Sequence, residues 1–599
     1  MGSKHNDQSD ASSFSSGDLQ YTAEAGANSS VPTYQEASGA PIEVNSPLGY
    51  SVGWITVIFL NLSKMIGTGV FSTPAASTVL RGAGSVGLAL FYWVIGFFMA
   101  GSSLAVYLEF SSYFPSRSGS EVVYLEQAYP RPKYFLPTVF AMQSVLFSFS
   151  SSNAIVLAQY LFRLAEAEST PWKLKGVAVA SYSVAVLVLA FNTKWSLRFA
   201  NAIGFVKLVT LIFIGITGLV VLGGHTKIED PKANFRDAFE GSSSASVYGA
   251  TNALVKVAFS YAGFENAFNV VNEVKNPIKT LRWSAPLSLF LVATLYMLAN
   301  IAYFSAATKG EILGSKVVAA GIFFQKVFGT SSASRALNFL ICLSAFGNLL
   351  AVLIGQSRLL RECGSVDIAD ETRQGVLPFT KFWTSTRPFG TPLGPYALKW
   401  ALTVLMILAP PAGDAFNFGA FSPDIHCIKP ILTLAVVDLG VYPNNAFALV
   451  LAIGLLLTRR HRKRHNIPPS GYKAWDVVVG FSILSNTYMV VAPWYPPTTG
   501  AKGGDVSFWY ATYCAVGLGI IGLCGVYYYL YIKVLPRLGG YTFRQIILQM
   551  DDGATAHKLV KVPNEQLKAW DAEHDATGRE RAKEEAVSTA VDVKHEFGI

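Results

Sequence analysis

Charge is what this chain has least of. Only 14% of its 599 residues are Asp, Glu, Lys or Arg, while 51% are apolar, 40 of them Phe, and the mean hydropathy is +0.37. A soluble protein of this size needs far more charge on its surface, so soluble multidomain readings are excluded. Histidine is nearly as scarce where it would matter. His5, His225, His426, His461, His465, His557, His574 and His595 all fall in tails or loops, which leaves no intramembrane His site. The five cysteines, Cys342, Cys363, Cys427, Cys514 and Cys524, lack metal-ligand spacing, and four lie in or beside apolar stretches as packing residues. No phosphate loop, zinc motif or nucleophile–base set occurs, so the sequence reads as no enzyme, with no cofactor and no metal. A cleavable signal peptide is also missing, because the Ser-, Ala-, Gly- and Glu-rich start has no apolar core.

What is present is a series of apolar stretches, each near the ~20 residues needed to cross a bilayer. Twelve are predicted, at approximately 51–79, 85–113, 134–165, 173–192, 197–223, 247–274, 282–307, 333–361, 394–411, 436–458, 473–495 and 507–535. They divide the chain into a disordered tail over 1–48, a transmembrane domain over 49–535 and a partly ordered tail over 536–599. The net charge of +9 belongs largely to short loops such as Arg459-Arg460-His461-Arg462-Lys463-Arg464, so it reports membrane orientation rather than nucleic-acid binding. Basic residues from Arg117 through Arg131, Lys194, Arg198, Lys275 and Arg358 share the side of both tails, which places the tails in the cytoplasm. The sequon Asn28-Ser29-Ser30 is idle there, and the tails are open to docking or turnover factors such as ubiquitin-ligase adaptors.

Two apolar stretches carry glycine breaks in matching places, five spans apart: Lys64-Met65-Ile66-Gly67-Thr68-Gly69-Val70-Phe71 and Phe259-Ser260-Tyr261-Ala262-Gly263-Phe264-Glu265-Asn266. Backbone left unpaired in hydrocarbon costs several kcal/mol per group, so such breaks persist where they line a polar cavity. A broken helix offers free N–H groups at the start of one half and free carbonyls at the end of the other. The first attract a carboxylate and the second an ammonium, and an α-amino acid carries both. Close helix packing is the alternative use of such glycines.

Lys207 lies mid-span in the fifth stretch, where a cation costs about 2.5–3.5 kcal/mol. It shares a helix face with Gly204, Leu211, Gly215 and Gly218, so it faces protein rather than lipid, either as a proton-exchanging group or as a strut held by carbonyls. Glu265, the carboxylate inside the second break, can take a proton, recognise an amine or pair with a base. Glu109 and Glu273 read as anchors at span ends, Lys64 and Lys256 as residues that snorkel or face water, and the Ser344, Asn348, Ala351, Gly355 face of span eight as packing beside a broken helix.

At these residues a family resemblance enters. Met65-Ile66-Gly67-Thr68-Gly69-Val70-Phe71 resembles the first-helix signature of the amino acid–polyamine–organocation transporters, and Phe114-Pro115-Ser116-Arg117-Ser118-Gly119-Ser120-Glu121, Asn272-Glu273-Val274-Lys275-Asn276-Pro277 and Gly375-Val376-Leu377-Pro378 resemble later segments of the same families. The similarity runs from about Gly53 to Leu535 and is strongest to the L-type amino acid transporter group, the fungal high-affinity methionine permeases in particular. It implies an all-α polytopic fold, with an inverted repeat of five plus five helices like that of LeuT, broken helices 1 and 6, and two further helices. It also implies substrate-amine contacts from the carbonyls of Met65, Ile66, Phe259, Ser260 and Ala262, and carboxylate contacts from the amides of Thr68, Gly69 and Val70. Phe259 falls at an aromatic gate, and Lys207 matches a lysine that takes the place of a sodium ion in relatives. Residues 365–372 and 419–435 look like insertions relative to the family, as retained introns would produce.

The resulting expectation is a plasma-membrane permease importing neutral L-amino acids, methionine first, by proton symport. A facilitator or exchanger of large neutral amino acids and a non-transporting amino acid receptor are the alternatives.

Overall fold

A computed structural model describes residues 48–574, except 49, 68–74, 116–118, 133, 315–318, 330, 365–381, 384, 409–430, 465–469, 498–499, 501–508 and 550–554. The principal helices in chain order are α1 (Trp54–Met65), α2 (Ala75–Ala83), α3 (Val86–Tyr113), α4 (Glu121–Ala128), α5 (Phe135–Leu146), α6 (Ser151–Leu164), α7 (Pro171–Phe191) and α8 (Thr193–Leu222). They continue with α9 (Val247–Tyr261), α10 (Pro277–Ala306), α11 (Ser331–Gly364), α12 (Leu393–Leu408), α13 (Ile431–Arg464), α14 (Asp476–Val491) and α15 (Thr512–Tyr528).

Seven helices among the described residues are long and apolar enough to cross a membrane, which makes this an integral membrane protein. They fall on the second, fourth, fifth, seventh, eighth, eleventh and twelfth predicted stretches, and α1, α5 and α12 are shorter apolar helices on the first, third and ninth. Burial explains the near-absence of one-sided patterning. Phe205, Phe213 and Phe290 are exposed on the outer face, where an apolar side chain suits lipid, while α8 turns Gly204, Lys207, Leu211, Gly215 and Gly218 inward. A helix that is apolar all round is the expected product of an apolar solvent on one side and protein on the other.

Helix ends carry local instructions. Ser85 caps α3 by accepting from the Leu88 N–H, Asn192 caps α8, and Pro277 stands at the start of α10 where its missing N–H costs nothing. The core around the interruptions is built by α8 and α10 packed on α1, with α11 on α1 and α6.

Past the membrane helices the expected all-α class needs correction. β1 (Tyr541–Gln549) and β2 (Thr555–Pro563) form an antiparallel hairpin, with Tyr541 opposite Pro563 and Gln549 opposite Thr555. Its Tyr, Thr, Phe, Ile and Val content suits a pleated surface better than a helix. Arg544 grips Asp571 with two hydrogen bonds of 2.7 and 2.8 Å, tying the hairpin to the short helix Leu567–Glu573. Among its described residues the tail therefore carries a hairpin and a short helix. The apparent insertion at 365–372 lies outside the described residues, as does 419–430, and α13 begins at Ile431 within the second one.

Candidate substrate site between two interrupted helices

The first interruption follows Met65. Ile66 leaves helical geometry at φ −77° and ψ 76°, and the Gly67 N–H turns back to the Met65 carbonyl at 2.8 Å. Thr68, Gly69, Val70 and Phe71 lie outside the described residues, and helix resumes at Ala75. The second interruption follows Tyr261. Ala262 is extended, Gly263 takes φ +131°, and the chain re-enters as a 3-10 segment over Asn266–Glu273. That backbone suits glycine alone, and a Cβ on Gly263 would also stand 2.9 Å from the Met65 nitrogen. The two breaks thus touch each other.

Their halves pair crosswise. α1 packs on the 3-10 segment, where the Ala267 N–H donates to Asn61 Oδ1 at 2.8 Å and Asn266 Nδ2 to the Leu60 carbonyl at 3.2 Å. α2 packs on α9, with the Gly82 and Gly249 backbones in close approach.

Freed carbonyls at the end of α1 are met by side chains from three surrounding helices. Lys207 of α8 donates from Nζ to the Ile66 carbonyl at 2.7 Å and the Ser63 carbonyl at 3.0 Å. It is 2% exposed, and a carbonyl cluster at a helix C-terminus is the environment a buried ammonium needs. Asn348 of α11 donates to the Lys64 carbonyl at 2.7 Å, and Ser344 approaches the Ile66 carbonyl at 3.4 Å. Asn266 also reaches the Ala351 carbonyl at 3.0 Å, so the predicted polar face of span eight does pack on the broken helices. Tyr296 of α10 sets its hydroxyl 2.7 Å from the Met65 carbonyl and 2.9 Å from the Ser260 carbonyl. One hydroxyl proton is thus shared between the two breaks.

Lys64 does not snorkel. Its ammonium lies 2.7 Å from Glu265 Oε1, and Glu265 Oε2 accepts the Gly263 N–H at 2.8 Å. Of the three uses open to Glu265, pairing with a base is the one seen. The other two anchors behave as read. Glu109 takes Arg459 through two bonds of 2.7 and 2.5 Å, and Glu273 takes Arg358 at 2.9 Å.

A cavity of about 220 Å³ opens beside the breaks, with Lys64, Ala262, Phe264 and Glu265 at its wall. Polar lining comes from Gln143, Asn269, Gln356, Asn444 and Asn486, apolar lining from Met99, Phe140, Phe147, Phe447 and Met489. A second carboxylate, Glu121, lies on it and accepts the Tyr107 hydroxyl at 2.6 Å. Among the predicted site residues, Ala262 and Glu265 line this cavity. Lys207 sits behind α1, and the Met65, Ile66, Phe259 and Ser260 carbonyls all accept hydrogen bonds from the protein itself.

Such a site, with two half-helix ends of opposite dipole, buried ammonium groups, amide side chains and an apolar wall, suits a small zwitterion. Comparison with known proteins decides the family. Residues 52–521 match the family model for amino acid permeases. The chain belongs to the amino acid permease family. The high-affinity methionine permease of Saccharomyces cerevisiae is 35% identical, over 88% of this chain and 86% of that protein. The low-affinity methionine permease of the same yeast is 27% identical over 86% and 89%. Human large neutral amino acids transporter small subunit 2 is 26% identical over 51% and 56%. These relatives are transporters, and this permease is not an enzyme.

Sequence reasoning missed four parts of this permease: the Lys64 partnership, the Tyr296 tie, Glu121 on the cavity wall, and an interruption of the third stretch between Leu146 and Ser151. The last is marked in the sequence by Phe147-Ser148-Phe149-Ser150-Ser151-Ser152, a run poor in strong helix formers.

Proposed function

We propose that this permease imports neutral L-amino acids, methionine first, by proton symport with alternating access across the plasma membrane. The observation that carries this reading is Lys207, whose ammonium fills the carbonyl cluster at the end of α1, where a coupling cation would otherwise be needed. A lysine there can release and regain a proton as the two interrupted helices rearrange, which ties their movement to proton flow. The substrate ammonium takes carbonyls of Met65, Ile66, Phe259, Ser260 and Ala262, exchanging with the Tyr296 hydroxyl. The carboxylate takes the amides of Thr68, Gly69 and Val70, and Phe259 closes over both. Glu265 sets the charge beside this site through Lys64.

The arrangement belongs with twelve spans, five plus five of them in inverted repeat, and with both tails in the cytoplasm, where ubiquitin-ligase adaptors can reach them. Methionine is favoured by the two yeast relatives and by the thioether-compatible wall of Met99, Met489, Phe140 and Phe447. A proton entering through ~100 mV gains about 2.3 kcal/mol and one pH unit adds about 1.4, enough for accumulation of roughly several hundred-fold. Labelled methionine uptake into permease-deficient cells, with and without a protonophore, tests the reading. Uptake untouched by the protonophore replaces symport with facilitation or exchange, and binding without uptake makes the chain a receptor.

A further inference from the structure

Lys399 is a second buried lysine that the transport reading does not use. It lies in the middle of α12, 0% exposed, where a cation carries the same insertion cost as Lys207. Its ammonium donates to the Ser148 carbonyl at 2.6 Å, sits 3.4 Å from Ser150 Oγ and contacts Gln356 Oε1. One turn further along α12, Thr403 Oγ1 accepts the Ser150 N–H at 3.0 Å. Two residues on one face of α12 therefore hold both sides of the interruption between α5 and α6, the lysine taking the carbonyl and the threonine the amide.

The arrangement parallels the one at α1. There Lys207 meets carbonyls where the first helix stops, and here Lys399 meets a carbonyl where α5 stops. In both cases the negative end of a half-helix faces an ammonium. What differs is the far side. Phe147 and Ser144, from the end of α5, line the cavity, and so does Gln356 of α11, whose carbonyl Lys399 holds. One buried charge thus fixes two separate walls of the same cavity.

We propose that Lys399 is a positioning residue for amino acid binding, a buried donor that sets the α5 end and the Gln356 side chain against each other across the cavity. Without the ammonium, Gln356 is free to turn and the Ser148 carbonyl is left bare, so the cavity loses its shape while the outer helices stay packed. The proposal rests on the reading of this cavity as the amino acid path, and labelled methionine is the probe.

Five forms of the full chain are compared in permease-deficient cells for surface level, KM and maximal uptake per surface copy: the native protein, Lys399→Met, Lys399→Arg, Gln356→Ala and the double variant Lys399→Met with Gln356→Ala. Lys399→Met is expected to raise KM at least tenfold with maximal uptake per copy within twofold. Gln356→Ala, which leaves the interruption and its lysine intact, is expected to raise KM in the same direction, and the double variant is expected to equal Lys399→Met alone. Lys399→Arg, which keeps the charge, is expected to recover part of the affinity. An unchanged KM in Gln356→Ala, or multiplied effects in the double variant, overturns the proposal even if Lys399→Met fails to reach the surface. Absence of methionine uptake by the native protein would instead count against the substrate reading.

Discussion

Lys64 and Glu265 meet at 2.7 Å across the two interruptions, the last turn of one broken helix paired with the first residues beyond the other. Their side chains are 16% and 18% exposed and both line the cavity, so the pair is neither a surface bridge nor a fully dry one. It fixes how far apart the two half-helices stand.

Loss of either partner should loosen that spacing. Breaking a fully buried pair costs roughly 3–5 kcal/mol, and contact with the cavity reduces this to about 1–3 kcal/mol here. Glu265→Lys should therefore lower the thermal stability of the purified permease and abolish uptake, because two cations then face each other. Adding Lys64→Glu restores opposite charges and should return a measurable part of both. A double variant no better than Glu265→Lys alone would show that the pair does not act as a unit.

The second prediction concerns Lys207. Lys207→Ala removes the ammonium from the Ser63 and Ile66 carbonyls and leaves them only the longer contacts of 3.3 Å from Asn348 and 3.4 Å from Ser344. Concentrative methionine uptake should disappear, with any remaining flux only equilibrating the two sides. The measurement is the inside-to-outside ratio at steady state in intact cells. A variant that still accumulates substrate rules out Lys207 as the coupling group.

Why some of this could be read from the sequence and some could not follows from where the information sits. Gly67, Gly263 and Lys207 are conspicuous because each breaks a local rule, a helix former expected where a glycine stands or an apolar residue where a charge stands. Cost alone flags them. Lys399 breaks the same rule, yet its meaning depends on Ser148, 251 positions away, and on a helix interruption signalled by serines rather than glycines. Lys64 and Glu265 are 201 positions apart, and no local pattern sets the register that brings them together. The hairpin after Tyr541 escaped because polar residues fall in both alternating sets of its first strand, Thr542 and Arg544 in one and Gln545 and Gln549 in the other, which blurs the alternation that reveals strands.

Glycine at the two breaks supports a third prediction. A valine at Gly263 meets both an unfavourable φ of +131° and the Lys64 side chain within 3.0 Å. A Cβ at Gly67 would stand 2.6 Å from Asn348 Nδ2, the group that holds the Lys64 carbonyl. Both changes act at the ends of half-helices, away from the packed outer faces. Gly67→Val and Gly263→Val should therefore abolish methionine binding while surface delivery stays near normal. Retained affinity in either would count against that break as part of the site.

Glu109 offers the opposite expectation, loss of delivery with affinity intact. Its carboxylate accepts two bonds from Arg459, one from the Ala474 N–H at 2.7 Å and one from the Tyr113 hydroxyl at 2.5 Å, and it is 0% exposed. It thereby ties α3 to the end of α13 and to the segment leading into α14. Glu109→Ala leaves Arg459 only Asp476 and the Ala474 carbonyl and takes the acceptor from two further donors, a loss of about 1–3 kcal/mol because the guanidinium keeps a partner and some exposure. Glu109 does not line the cavity, so the surviving copies should bind methionine as the native protein does. Surface labelling should show a several-fold drop, and uptake kinetics on the same cells should return an unchanged KM. A shifted KM with normal surface level would instead place Glu109 in the transport path rather than in the scaffold that supports it.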